Sequence, residues 1–239
     1  MTHSTHKTHL TQALIALALT ALATLYLEHS AFDVMVAQTL YLGGGHWLID
    51  KAAVLPDLIF YRGIKAVLIA FEVCLIGLFL YRHYQQKRSP KPTADTLLSQ
   101  TELGYLLLTM LLVPLVVGAL KAVTHVACPA YLQLFGGELP YLPLWQSMMT
   151  GVNAKCFPAA HASSGFALYA LAFVPSLVAW RVRIMVAVSV LAWLMGGYKM
   201  VIGDHFFSHT VVSMLLAWAI CAVMAVVFFR HDKGAYPRV

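Results

Sequence analysis

The chain has 239 residues, of which 60% are hydrophobic and only 11% charged, and its mean hydropathy is +0.75. A soluble domain is roughly 45–50% apolar, so these figures exclude a soluble globular protein and leave an integral membrane protein. The net charge of +6 collects at the ends of apolar segments, where it reads as topological charge and not as a nucleic-acid surface.

Taken in chain order, six segments are apolar and long enough to cross a bilayer as helices, which takes about 20 residues. They are Leu10–Leu27, Ile64–Tyr81, Leu103–Leu120, Ala159–Trp180, Ile184–Ile202 and Thr210–Phe229. The first, "LTQALIALALTALATLYL", is also rich in the small residues of a cleaved signal peptide. Its only preceding cation is Lys7 and it outruns a usual signal core, so it is read as a span. Residues 28–63 carry Phe32, Val34, Met35, Val36 and Leu40 before a Gly43–Gly45 break, and read as one or two short helices lying in the outer interface. Residues 82–95, "RHYQQKRSPKPTAD", read as a solvated loop that can touch anionic headgroups. Residues 121–158 form a second outer loop, interrupted by proline and glycine.

The expected fold is thus an all-α integral membrane protein. It is a six-transmembrane-helix bundle with short interfacial helices in its outer loops, and one domain over residues 1–239. Orientation follows the lysines and arginines. Lys7, Arg82, Lys87, Arg88, Lys91, Arg181, Arg183, Arg230, Lys233 and Arg238 share the face of both termini, making that face cytoplasmic. Lys51, Arg62, Lys65, Lys121, Lys155 and Lys199 are left on the other side.

Three clusters fall at helix ends on that other side: Lys121 with Cys128 and Pro129, "KCFPAAH" at 155–161, and "YKMVIGDHFFSH" at 198–209. Ionisable groups at membrane depth are costly and point to function. Lysines and histidines at one level, beside the positive N-terminal end of the fourth helix, suit a phosphate group. A single histidine near a helix end is ordinarily an interfacial side chain, so His46 and His125 are set aside. Glu72 lies mid-span and reads as paired within the bundle.

The three clusters resemble the signature of the type 2 phosphatidic acid phosphatase (PAP2) superfamily, over residues 121–209. In that family the first motif is Lys, six residues, Arg, Pro. Here "KAVTHVACP" keeps Lys121 and Pro129, with Cys128 where arginine is usual. The second is Pro-Ser-Gly-His, and "PAAH" keeps Pro158 and His161. The third is Ser, Arg, five residues, His, three residues, Asp. Here Lys199 stands for arginine, His205 is in register, and His209 stands for aspartate.

The resemblance implies a bacterial membrane lipid phosphatase that needs no metal or cofactor and works through a phosphohistidine. His205 would be the nucleophile, His161 the acid that protonates the leaving group, and His209 the group orienting His205. Lys121 and Lys199 would hold the phosphoryl oxygens. Lys155 would restore the charge lost with the first motif's arginine, and Asp204 offers another carboxylate near His205. Cys128 and Cys156 form a possible disulfide between motifs one and two.

By the same resemblance the protein sits in the bacterial inner membrane with its site facing the periplasm. Its substrate would be an envelope lipid: lipid A type, undecaprenyl diphosphate or phosphatidylglycerol phosphate. A phosphotransferase using the same intermediate and a non-catalytic lipid-binding relative remain the alternatives, and no nucleic-acid partner is expected.

Overall fold

The computed structural model describes residues 2–28, 30–88, 97–152 and 154–230. Part of the loop read at 82–95, together with Lys91, Lys233 and Arg238, lies outside them. Helix α1 spans Thr2–Glu28, α2 Phe32–Leu40, α3 Val54–Asp57 and α4 Ile64–Arg88, with a π-helical stretch at Leu58–Gly63 joining the last two. Helix α5 is Gln100–Thr124, α6 Leu144–Thr150, α7 Ala160–Phe166, α8 Arg181–Val201 and α9 Phe207–Phe228.

Five helical stretches among the described residues are long and apolar enough to cross a bilayer: His6–Leu27, Val54–Arg88, Gln100–Tyr131, Pro175–Val201 and Phe207–Phe228. The protein is therefore an all-α membrane protein. The expected fourth span, Ala159–Trp180, is not one continuous helix. After α7 it tightens into 3₁₀ turns at Ala167–Phe173 and Pro175–Trp180. Pro175 is the local cause of the break, because the residue before a proline is pushed out of the helical region, and Val174 sits at φ −69°, ψ 124°. This segment is packed against α5, α8 and α9, with Ala162, Phe166, Ala167, Tyr169 and Ala170 almost wholly enclosed.

Lipid gives helices no hydrophobic reason to associate, so close approach of small residues has to hold them. The sequence supplies it. Helix α9 buries Thr210, Ser213, Ala217, Ala219, Cys221, Ala222 and Ala225, and Ala13 and Ala16 of α1, which packs along it, are also buried. A methyl group on Gly196 would lie 2.5 Å from Thr210, and one on Gly165 would lie 2.8 Å from Met195. The helices α7, α8 and α9 therefore meet at backbone distance.

Two buried carboxylates fasten helix ends. Ser99 and Glu102 form a capping box on α5, and the second oxygen of Glu102 accepts the Ser176 N–H at 2.8 Å. Asp33 of α2 accepts both the N–H and the hydroxyl of Ser208, in the first turn of α9. Burial pushes the Asp33 carboxyl up from its ordinary value, while the two Ser208 bonds pull it down.

The expected interfacial helices of residues 28–63 are only partly helical. After α2 the chain forms a short antiparallel hairpin, β1 Tyr41–Gly43 and β2 His46–Trp47, turning through Gly43–Gly45 at positive φ. Three consecutive glycines allow this turn at the expected break, and the residues flanking it pair as strands. Trp47, Ala37, Leu132, Phe135 and Phe206 then form a second small core above the bundle.

That core presses on the turn between α8 and α9. Gly203 has φ +77°, and a β-carbon there would lie 2.3 Å from the Trp47 ring. We expect Gly203→Ala to lower the melting temperature in detergent by about 3–8 °C, from roughly 1–2 kcal/mol of left-handed backbone cost and more from the clash. An unchanged melting temperature would refute this account of the turn.

Candidate active site

Helix α5 carries Lys121 in its last turn and ends at His125, which takes the left-handed conformation at φ 53°. The chain beyond it is tied to the segment before α7 in three ways. The Cys156 N–H donates to the Val126 carbonyl at 3.0 Å, the Thr124 hydroxyl donates to the Phe157 carbonyl, and Cys128 and Cys156 are joined by a disulfide with Cα atoms 5.2 Å apart. On the other side the Ala159 N–H donates to the carbonyl of His209 at 3.1 Å. Residues 155–159 are thus pinned between α5 and α9, which sets where Lys155 and His161 stand.

At the end of α8 a single carbonyl organises the turn. The N–H groups of Asp204 and His205 both donate to the Lys199 carbonyl, at 2.8 and 3.1 Å. The Asp204 carboxylate faces two lysines, Lys199 at 2.9 Å and Lys51 at 2.7 Å. The Lys199–Asp204 pair is the more enclosed, its side chains being 13% and 15% exposed, whereas Lys51 is 59% exposed. Enclosed pairs are the less screened, so Lys199 is the more firmly held. Asp204 is therefore a clamp for lysines, and among the described residues the hydrogen-bond partner of the His205 ring is His209, against the expectation that Asp204 could serve it.

Tyr61 completes this wall. The Lys199 ammonium lies 4.3 Å from the Tyr61 ring centroid, and the His161 ring lies 4.2 Å from the same ring. Tyr61 belongs to the π-helical stretch Leu58–Gly63, an irregularity that occurs mostly at functional sites.

These groups surround one open cavity of about 440 Å³. Its lining includes Lys51, Lys65, Lys121, Lys155 and Lys199, with His161, His205 and Ser164, and Asp204 as the only carboxylate among the described residues. Among the described residues Lys65, Lys121 and Lys155 have no carboxylate partner. Five lysines set against one aspartate form a field that favours an anion, and low-dielectric walls focus it. The Nε2 atom of His161 is buried and has no hydrogen-bond partner among the described residues.

His205 and His209 form a pair, with Nδ1 atoms 3.3 Å apart. Both are buried. A proton on the Nδ1 of His205 and a lone pair on that of His209 leave the Nε2 of His205 unprotonated, the tautomer a nucleophile needs. Burial first, and then the charges of Lys121, Lys199 and His161, push the His205 imidazole down to about 3, against a smaller pull upward from the Cys156 backbone. His205 is therefore neutral at any ordinary pH.

The fold brings Lys121, Lys155, Lys199, His161 and His205 around one cavity and sets His209 behind His205. Sequence reasoning passed over Lys51, Lys65 and Tyr61. The first two were visible as cations on the same side of the membrane, but they come from a segment with no recognisable motif. Helix α7 has only seven residues before the 3₁₀ turns, so its dipole is weaker than that of the full span expected. Among the described residues no group of three His, Cys, Asp or Glu side chains is placed to hold a metal ion.

A family model described as PAP2 superfamily matches residues 102–233 of the chain. No curated protein and no solved structure matches it.

The depressed His205 imidazole has a consequence for stability. Between pH 6.5 and about 3 the unfolded chain binds a proton at this position and the folded chain does not, so folding stability falls as pH falls through that window. We expect thermal melting in detergent to drop between pH 7 and pH 4, and His205→Gln to flatten part of that slope. Equal slopes in the two proteins would refute this burial of the imidazole.

Proposed function

The chain belongs to the PAP2 superfamily, and from that premise we propose that it is an integral membrane lipid phosphatase. It hydrolyses a phosphate monoester or diphosphate of an envelope lipid at the periplasmic face of a bacterial inner membrane. The observation that carries this reading is the cavity in which five lysines meet one aspartate beside two histidines. A phosphate group supplies the missing negative charge, and its oxygens accept from Lys121, Lys155 and Lys199.

The chemistry follows from the histidines. The His205 Nε2 lone pair attacks phosphorus while the bond to the lipid oxygen breaks. In the free site His161 is held down to about 4 by burial and then by Lys199, Lys65 and Lys121. It takes up a proton as the phosphate's negative charge enters beside it, and gives that proton to the lipid oxygen. Water then attacks the phosphorus of the phosphohistidine, His161 takes the proton it releases, and inorganic phosphate leaves with His205 restored. Positioned cations provide most of the transition-state stabilisation in such a transfer. His209 accepts from His205 and keeps its ring in one tautomer. As an imidazole it stabilises the charge on the phosphorylated ring less than a carboxylate would. The five lysines partly offset this by drawing the transferred group's charge toward themselves.

The disulfide Cys128–Cys156 supports the periplasmic placement, since disulfides persist outside the cytoplasm. It also accounts for a cysteine where the family has arginine. The crosslink fixes the loop that carries Lys155, and Lys155 stands in for the missing guanidinium as a point charge.

Phosphate release from a panel of lipid A, prenyl diphosphate and glycerophospholipid substrates, with chelator present, tests the reading. We expect turnover of at least one of these by the wild type, and His205→Gln to reduce it by about a thousandfold or more. Release that persists in His205→Gln, or that chelator abolishes, would overturn it. Lys155→Ala is expected to lower kcat/KM at least tenfold, the scale of a lost charge-assisted contact. An unchanged kcat/KM would remove Lys155 from the phosphate site.

A further inference from the structure

Below the phosphate cavity lies a second, narrower one of about 130 Å³, enclosed by α4, α5, α7 and α8. Its lining is Lys65, Leu68, Ile69, Glu72, Met110, Pro114, His161, Ser164 and Met195. Lys65, His161 and Ser164 line both cavities, so the lower one continues from the place where the leaving oxygen would receive its proton. Apart from these three and Glu72 its wall is apolar, as suits hydrocarbon.

Two polar features mark that wall. Glu72 makes no hydrogen bond or ion pair among the described residues, against the sequence expectation that it is paired within the bundle. Lys65 lines the same cavity but forms no ion pair with Glu72 among the described residues. The second feature is backbone. Pro114 lies inside α5 and has no N–H to give the carbonyl of Met110, four residues earlier. Both residues line this cavity. A polar group at membrane depth without a partner is costly, so Glu72 and the Met110 carbonyl, which Pro114 cannot serve, make this slot polar at mid-depth.

We infer that this slot receives the hydrocarbon chain of the leaving lipid, and that Glu72 selects chains bearing a hydroxyl group about 10 Å from the phosphorus. That depth is the rise between Lys65 at the phosphate level and Glu72 seven residues along the helix, at about 1.5 Å each. A hydroxyl both donates and accepts, so it satisfies a carboxyl group and the Met110 carbonyl together. A plain alkyl or isoprenoid chain leaves both unpaired, and sites built on polar groups reject ligands that leave them so. Helix α4 can admit a chain, because among its residues only Leu68 and Leu75 are buried.

The inference rests on the phosphatase reading and is tested separately from it. The full-length protein in detergent is given octadecyl phosphate and 8-hydroxyoctadecyl phosphate, the eighth carbon lying about 10 Å along an extended chain. The wild type is expected to favour the hydroxylated lipid by about tenfold in kcat/KM. Glu72→Leu is expected to bring the ratio near one, mainly through KM, and Glu72→Gln to keep a preference because an amide still hydrogen-bonds.

A wild-type ratio of one, or a wild-type ratio retained in Glu72→Leu, overturns the inference and leaves the phosphatase reading standing. Turnover of neither lipid, nor of any in the panel above, overturns both. Should Glu72→Leu fail to fold, the wild-type ratio decides the matter: about ten supports the inference and one overturns it.

Discussion

A cation cannot remain in hydrocarbon without either a partner or water, and most of this molecule is arranged around that constraint. Five lysines converge on one cavity, and a single carboxylate, Asp204, steadies two of them. Were each lysine paired, the cavity would be a neutral salt-bridge cluster with nothing to attract. The shortage of carboxylates makes it a receptor for an anion. Asp204 prevents the opposite failure, in which Lys199 would turn away toward bulk solvent. Tyr61 limits its motion from the other side through its ring face.

Such a cavity needs walls that do not move, and the membrane supplies no hydrophobic force to hold them. Small residues do this instead. Gly165, Gly196 and the alanines of α9 let α7, α8 and α9 approach at backbone distance, where van der Waals contacts accumulate. The loops above are held by directional bonds. Asp33 caps α9 from α2, the disulfide joins the end of α5 to the approach to α7, and the Ala159–His209 bond joins that approach to α9. A lysine, a histidine and the His205–His209 pair, each from a different part of the chain, are thereby fixed against one another. Preorganisation of this kind matters because charge stabilisation is strongest where no reorganisation is needed during reaction.

The departures from the family pattern fall into place around the same geometry. Cys128 gives up a guanidinium but gains a crosslink to Cys156, next to Lys155. Lys199 in place of arginine gives up a bidentate fork and gains the Asp204 clamp. His209 in place of aspartate is the least compensated, since the contact to His205 is between two imidazoles. The π-helical stretch that presents Tyr61 has no counterpart in the sequence motifs.

The sequence by itself determined what can be read locally. Hydropathy marks six membrane-length segments, five of which are long apolar helices among the described residues, and motif spacing puts Lys121, His161, Lys199 and His205 at helix ends. Both are properties of contiguous residues, with a period or a register that survives without coordinates. What only the tertiary structure decided depends on partners far apart in the chain. Lys51 pairs with Asp204 across 153 residues, Tyr61 lies over both Lys199 and His161, and Glu72 goes unpaired beside Pro114. The fourth apolar segment shows the same division. Its composition predicts a full helix, but burial among α5, α8 and α9 shields its backbone from lipid. Tighter turns from Ala167 and the break at Val174 before Pro175 then carry no exposure cost, and only the packing around them reveals that this is allowed.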